Sequence, residues 1–410
     1  MPRQMKDSGV EWIGEMPSQW NVSKVGYFFS FSSGDSITSE QIGDTGEFVV
    51  YGANGIRGYY DSFNLSGKHI LIGRVGALCG NVHIVDGNIW VTEHALIANK
   101  KLSLCEEYFG YAFESMNLVQ YSKASAQPVI SSDTISKLKF PVPPMDVQFA
   151  IAKYLDEQCE HINSVLKQTR SSIEEYKKLK KAMITQAVTK GVCGDRTMKD
   201  SNVEWIGSIP ENWKVYRIAN LYDERSESGL EELPILTVSI NTGVSDHEIS
   251  DEDKDRVFVR SEDRTKYKRV YPGDLAYNMM RAWQGAFGAV RVDGMVSPAY
   301  VVAKPKKNVE LDSRYMEALL RTSEATEEMH RYSRGIVDFR LRLYWPEFKN
   351  IRICLPPIAE QIEIADYIDE KSAAIDALIA KKEAFVSELE NYKKSMIYEY
   401  VTGKKEVPQL

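Results

Sequence analysis

Two long stretches of this chain are copies of one another, and that limits the fold more than any other feature. The segment from about Met145 to Val188 aligns without a gap on the segment from about Ile358 to Val401, at a constant offset of 213 residues. Pro143, Pro144, Gln148, Ile151, Ala152, Tyr154, Asp156 and Glu157 fall on Pro356, Pro357, Gln361, Ile364, Ala365, Tyr367, Asp369 and Glu370. Further on, Ile162, Lys180, Lys181, Met183, Ile184, Val188 and Thr189 fall on Ile375, Lys393, Lys394, Met396, Ile397, Val401 and Thr402. So long a gapless match is an internal duplication, and the chain is read as two repeats.

Inside each copy the apolar residues recur as heptads. Leu155, Ile162, Thr169, Tyr176 and Met183 are seven apart, with Cys159, Leu166, Ile173 and Ala187 four residues behind. The second copy carries Ile368, Ile375, Leu389 and Met396, with Ile379, Val386 and Tyr400. Lys180, Lys382 and Lys393 interrupt the rows. A stripe at this spacing predicts a helix that wants a partner helix. The other copy in the same chain is the nearest candidate; docking on a neighbouring domain is the alternative. At about 1.5 Å per residue such helices are about 65 Å long, which suits a spacer better than a core helix.

A shorter repeat opens each half. MKDSGVEWIGEMPSQW (5–20) returns as MKDSNVEWIGSIPENW (198–213), identical at eleven of sixteen positions. The offset here is 193, so the segments between opener and helix differ in length by twenty residues. Trp12, Trp20, Trp205 and Trp213, with Pro17 and Pro210, read as non-helical straps with aromatic anchors. The boundaries that follow are 1–20 strap, 21–142 first variable domain, 143–190 first helix and 191–213 linker and second strap. Then come 214–355 second variable domain, 356–403 second helix and 404–410 tail.

Both variable segments are punctuated by glycine and rich in short β-type runs, such as EFVVYGANGIRGYYD and KHILIGRVGALCG. These predict small, curved, mostly antiparallel sheets. Helices are expected at Glu106 to Val119 and over SRYMEALLRTSEATEEMH. No alignment between the two variable segments is visible. Each ends on a Pro-Pro pair, and proline suits a helix start because its missing N–H has no partner there anyway.

Of the 410 residues, 51 are Lys or Arg and 58 Asp or Glu, a formal net charge of −7. That balance argues against coating nucleic acid by bulk charge. No apolar run approaches the roughly 18 residues of a membrane span, and the N-terminal residues hold no apolar signal region, so a cytoplasmic protein with no membrane contact is expected. Five cysteines without a C-x-x-C pair suit reduced thiols and give no zinc motif. Phosphate-cradling and dinucleotide glycine motifs are absent. So is an Asn/Asp-Pro-Pro-aromatic element, so no methyltransferase centre is expected in this chain. His69, His83 and His94 sit at spacings that permit a metal triad, although satisfied or surface histidines are the commoner explanation.

The remaining signal is basic residues interleaved with aromatics and amides. In the second variable domain these are Arg264, Lys266, Tyr267, Lys268, Arg269, Asn278, Arg281, Trp283 and Gln284, then Arg331, Tyr332, Arg334, Arg340 and Arg342. Arg can fork onto guanine and amides onto adenine, while Lys and hydroxyls hold phosphates. A solvated face paired with Asp251, Glu252, Asp253 and Asp255 explains the same pattern. In the first domain the candidates are Asn54, Arg57, Tyr59, Lys68, Arg74, Gln127 and Ser131. Lys177, Lys178, Lys180, Lys181, Lys393 and Lys394 read first as a solvated helix face.

The layout resembles the specificity subunit of type I restriction–modification systems. The resemblance rests on VEWIGxxPxxW at 10–20 and 203–213 and on the helix openers PPMDVQFAIAKYLD and PPIAEQIEIADYID. YGANGIRGYYD with ILIGRVG, and YPGDLAYNMMRAWQG with GMVSPAY, look like motifs of that family's recognition domains. Val147-Gln148-Phe149 departs from the usual opener, which the second copy keeps as AEQIEI. The resemblance implies an α+β fold with an internal pseudo-two-fold repeat. Two target-recognition domains with small curved sheets would be separated by two long antiparallel, coiled-coil-like helices acting as a ruler. It implies a chain that catalyses nothing and reads a bipartite target in double-stranded DNA. Two adenine-methyltransferase subunits would bring S-adenosylmethionine, and motor–nuclease subunits would join for restriction. The alternative is a coiled-coil scaffold with two ligand-binding β domains; a stand-alone methyltransferase lacks its motifs.

Overall fold

The computed structural model describes residues 3–122, 128–248, 264–336 and 340–408. The chain forms two compact units, and each holds one variable domain plus parts of both long helices. Unit 1 comprises Met1–Arg170 with Glu383–Leu410, and unit 2 comprises Ser171–Lys382. Both boundaries therefore fall inside the long helices, Met145–Lys190 and Ile358–Val401.

Each long helix begins and ends by the same chemistry. Gln148 reaches back from the first turn, its Nε2 donating to the Pro143 carbonyl at 2.9 Å, while its Oε1 accepts from the Cys105 N–H at 3.4 Å. Gln361 repeats this with Pro356 at 2.9 Å and Asp312 at 3.0 Å. Both glutamines are buried, so each fastens a helix start to its variable domain. At the far ends Gly191 and Gly403 take left-handed backbone (φ +78° and +72°), which glycine adopts without strain. A Cβ on Gly403 would also collide with Pro17 and Trp20.

In unit 1 a four-stranded sheet runs in the order Phe29–Ser33, Ala95–Lys100, His69–Gly73, Val82–Val85. A second sheet orders Gly55–Tyr60, Phe48–Gly52, Asn88–Val91, Leu65–Ser66, and its central pair is parallel. Helix Glu106–Ser115 buries Tyr108, Phe109, Ala112 and Phe113 in a core shared with Trp20, Phe29, Phe140, Leu155, Met396 and Val401. The helix stops earlier than the sequence predicts. Asn117 takes left-handed backbone (φ +48°) and a 3-10 turn, Leu118–Tyr121, follows.

Unit 2 repeats this plan where no sequence alignment is visible. Its sheet orders Tyr222–Arg225, Tyr300–Pro305, Leu275–Asn278, Phe287–Ala289, all antiparallel. Two short ladders, Val238–Ser239 with Gly243–Val244 and Lys268–Val270 with Gly294–Val296, replace the second sheet. The stretch expected as one helix is two, Ser313–Leu320 and Ser323–Tyr332. Thr322 divides them, because its hydroxyl caps the second helix by accepting from the Ala325 N–H.

The straps are two-stranded ladders, Met5–Asp7 with Glu15–Pro17 and Met198–Asp200 with Ser208–Pro210. Trp20 and Trp213 are 1% and 0% exposed. Trp12 donates its indole N–H to the Lys139 carbonyl at 2.9 Å, and Trp205 does the same to Arg352 at 3.1 Å. Within unit 1, Leu155, Cys159, Ile162 and Leu166 pack with Met396, Tyr400 and partly buried Val386 and Leu389. Within unit 2, Ala187 and Val188 meet Ile364 and Ile368. The expected helix partnership therefore holds inside each unit. The lysines that break the heptads have local partners: Lys180 pairs with Asp376 at 2.6 Å, Lys393 bonds Asn163 at 3.1 Å, and Lys382 lies over the Tyr176 ring at 5.7 Å.

One tyrosine in each unit ties a strand to the end of a long helix. The buried Tyr108 hydroxyl lies 3.0 Å from the carbonyls of both Pro141 and Val401. The Tyr315 hydroxyl lies 3.1 Å from Val188 and 3.3 Å from Cys354. Val188 and Val401 belong to the last turns of the long helices, whose carbonyls have no intrahelical donor. Burial pushes both phenols well above their usual pKa, so they remain donors.

Candidate nucleic-acid interface

In unit 1 four loop segments converge at one end of the main sheet. The Arg74 N–H donates to the His94 carbonyl at 2.8 Å, Gly34 to Ala95 at 3.3 Å, and Asp35 to Val91 at 3.0 Å. Gly73 donates to Asn81 at 2.8 Å, and the Asn81 amide donates to Asn54 Oδ1 at 3.1 Å. Side chains could not be added to the approach: a Cβ on Gly34 would strike the Val91 carbonyl, and one on Gly73 the Ala53 carbonyl. The segments 33–35, 53–54, 73–81 and 92–95 thus form one tightly joined rim.

The candidates from the sequence divide around that rim. Asn54 is exposed on it, and Arg74 reaches along it to Ser33 Oγ at 2.9 Å. Arg57 and Tyr59 are exposed on the adjoining edge strand, the Arg57 stem lying against Gly52. Ser131 follows Ile130, whose N–H donates to the Arg74 carbonyl; its hydroxyl caps helix Ser132–Lys137 by accepting from the Thr134 N–H. Lys68 is committed to Glu107 at 2.5 Å. Burial pushes the Glu107 carboxyl up, but Lys68, together with a backbone N–H and the Cys105 thiol, outweighs it and holds the group below its usual range. Gln127 lies outside the described residues.

In unit 2 the corresponding position is fixed by register. Gly73 pairs with Ala95 in one sheet and Asn278 with Tyr300 in the other. The loop leaving Asn278 turns tightly: Asn278 Oδ1 accepts from the Met280 N–H at 3.0 Å, and Trp283 donates to the Met280 carbonyl at 3.1 Å while lying edge-on to His330. Arg281, at the apex, is held through its backbone, its N–H donating to the Asn278 carbonyl at 2.9 Å, while its exposed side chain makes no hydrogen bond or ion pair among the described residues. A second segment flanks this loop, since the Leu343 N–H donates to the Met279 carbonyl at 2.8 Å. There Arg334 and Arg342 exchange backbone hydrogen bonds at 2.9 Å, and Arg334, Arg340 and Arg342 are all exposed. Arg334 also pairs with Glu347 at 2.5 Å.

The earlier basic group largely holds the fold. Arg264 donates to the Glu231 and Leu233 carbonyls at 2.9 and 3.3 Å, and Lys268 to Tyr300 at 2.8 Å. Arg269 stacks over Tyr271 at 4.6 Å, while Lys266 is exposed. Asp251, Glu252, Asp253 and Asp255 lie outside the described residues. Lys178, Lys181 and Lys394 are exposed, whereas Lys177 is paired with Glu174 at 2.9 Å.

Among the described residues no three His, Cys, Asp or Glu side chains are grouped to hold a metal ion, and no helix is long and apolar enough to cross a membrane. The turn Thr92–His94, which joins this rim, is not among the contact candidates of the sequence. Its only signal is three polar residues between two strands, which many strand connections show.

Comparison with known proteins agrees with this plan. Residues 17–175 match the family model described as the type I restriction modification DNA specificity domain. The Escherichia coli type I restriction enzyme EcoprrI specificity subunit is 34% identical over 150 residues, which are 36% of this chain and 37% of that one. The MjaVIII specificity subunit of Methanocaldococcus jannaschii is 23% identical over an alignment covering 96% of this chain and 95% of that one. A solved structure from work on assembly and conformational transition of a type I R-M system shares the fold, with a TM-score of 0.63 at 13% identity, covering 95% of this chain and 99% of that one. The match takes in the first variable domain and most of the first long helix, and that helix returns in the other half of the chain. Residues 17–175 thus carry a type I restriction modification DNA specificity domain, and along nearly its whole length the chain is similar to type I restriction enzyme specificity subunits.

Proposed function

We propose that this chain reads a two-part target in double-stranded DNA, one half-site per unit, and directs partner subunits to it. The observation that carries this reading is a repeated frame bearing unlike loops. The same sheet, tyrosine and glutamine recur in both units, while the rim holds Asn54, Arg57 and Arg74 in one and Arg281, Arg334 and Arg340 in the other. Two unlike sets of base-edge donors on equivalent frames suit an asymmetric bipartite sequence. The long helices, as the continuous elements in which the unit boundaries fall, would set the gap between half-sites, and DNA deformation there would add selectivity. Two adenine-methyltransferase subunits would dock on the repeated elements. They would hold S-adenosylmethionine and take the target base out of the stack. Motor–nuclease subunits would complete a restriction complex. With a net charge of −7, phosphate contacts from this chain are local, and the partners would supply the rest.

The test is to sequence the methylated bases of a host carrying this gene and its methyltransferase partner, with and without this chain. A methyladenine motif in two halves around a fixed gap, lost with the chain, is expected. Methylation unchanged by removing the chain defeats the reading. One helical turn inserted in both long helices should lengthen the gap and keep both halves.

A further inference from the structure

The rim of unit 1 carries a turn whose polar atoms have no partners. Thr92 is wholly buried with an unsatisfied hydroxyl, and Glu93 Oε2 and His94 Nδ1 are buried without a hydrogen bond. His83 Nε2 is in the same condition on the neighbouring strand. The two places adjoin the Gly52–Gly55 turn, since a Cβ on Gly52 would lie 3.7 Å from Thr92 Oγ1 and one on Gly55 would lie 3.4 Å from the His83 ring. Glu93 Oε1 is 3.4 Å from His94 Nδ1, beyond the range of a good N–H···O bond. Buried polar atoms are nearly always satisfied, and the Glu93 side chain as a whole is 38% exposed, so rotation of its carboxylate can offer the unsatisfied oxygen to a donor from outside the rim.

We propose that the Thr92–His94 turn reads a base edge in the half-site of unit 1, with the Glu93 carboxylate accepting from the exocyclic amino group of a base. This rests on the DNA-reading function proposed above. A carboxylate repels phosphate, so a backbone contact is excluded. In the major groove the donors offered by bases are cytosine N4 and adenine N6, both amino groups. The turn is positioned for contact, because the Arg74 N–H to His94 carbonyl bond and the close approach at Gly34 hold its backbone. Unit 2 lacks the device. Counting back from the paired residues Ala95 and Tyr300, Pro298 stands where unit 1 has Glu93, and proline offers no side-chain acceptor. The reading is therefore confined to one half-site.

The experiment uses the full chain assembled with its methyltransferase subunits. Methylation rates are measured on duplexes in which each base pair of both half-sites is changed in turn. In the wild type, replacing one amino-bearing base in a single half-site should slow methylation roughly ten- to a hundredfold. Glu93→Ala should flatten the preference at that position alone. Whether the position is C or A distinguishes cytosine N4 from adenine N6. Glu93→Gln, nearly the same shape, guards against misfolding and should relax the position or move it towards adenine. Unaltered preferences in both variants overturn the proposal. So does a uniform loss over all duplexes with the other half-site still discriminated. Failure of the wider reading is separate: the wild-type complex itself would then show no bipartite preference.

Discussion

The two units share a frame and differ in what the frame presents. Equivalent positions make equivalent hydrogen bonds: Tyr108 and Tyr315 to helix ends, Gln148 and Gln361 to Pro-Pro carbonyls, Trp12 and Trp205 to strand carbonyls. Each satisfies a backbone group that would otherwise be stranded in or beside a core. Where the bond partner is a side chain, the copies diverge. Asp156 accepts from the Tyr111 hydroxyl at 2.7 Å, whereas its counterpart Asp369 takes the Arg314 guanidinium at 3.1 Å. Lys393 meets Asn163, whereas Lys180 meets Asp376. Obligations to the backbone therefore keep the repeats alike, and pairings at the surface leave them free to differ.

That comparison can be broken most directly at the strap tryptophans. Trp20→Ala and Trp213→Ala should each cost about 3–5 kcal/mol in chemical denaturation. Losses that differ by several kcal/mol would show that the frames are alike in geometry only. Next are Tyr108→Phe and Tyr315→Phe, which leave buried carbonyls short of a donor and should cost about 1–3 kcal/mol each. No loss in either would remove the helix-end bond from the frame. Arg281→Ala tests the other side of the contrast. If it reads a base, one half-site relaxes by about 1–3 kcal/mol and stability stays unchanged. A weakening uniform over all sequences would mean a phosphate contact. The smallest effect is expected from Asn163→Asp, which gives Lys393 the partner that Lys180 already has. An exposed pair contributes about 0.2–1 kcal/mol, and the gain should fade in high salt.

Much of the frame was legible in the sequence because its periodicities are long. A gapless repeat and heptads predict two helices whatever the rest does, and Ile358–Val401 begins and ends where the pattern does. The shared sheet was not legible. Its strands need only alternate apolar residues, so Phe29–Ser33 and Tyr222–Arg225 occupy the same place with no identity to align. Within the rim the sequence singled out residue types rather than positions. Arg281 and Arg57 are exposed, as contact requires, but Lys68 and Arg264 have the same chemistry and are occupied by neighbours in the fold. Glu93 escaped notice because an acid is not what a search for DNA contacts looks for. Only its place on the rim, with an oxygen left without a donor, marks it.

The division of the chain between units has a consequence for biosynthesis. Unit 2 is one continuous segment, Ser171–Lys382, whereas unit 1 is completed by Glu383–Leu410. A ribosome delivers the first variable domain early, yet Tyr108, Leu155 and Trp20 meet Met396, Val401 and Gly403 only once those residues have emerged. The domain made second can therefore close first. Until they do, the nascent first domain exposes the apolar surface that the second helix will cover, and it is there that a chaperone would have most to hold.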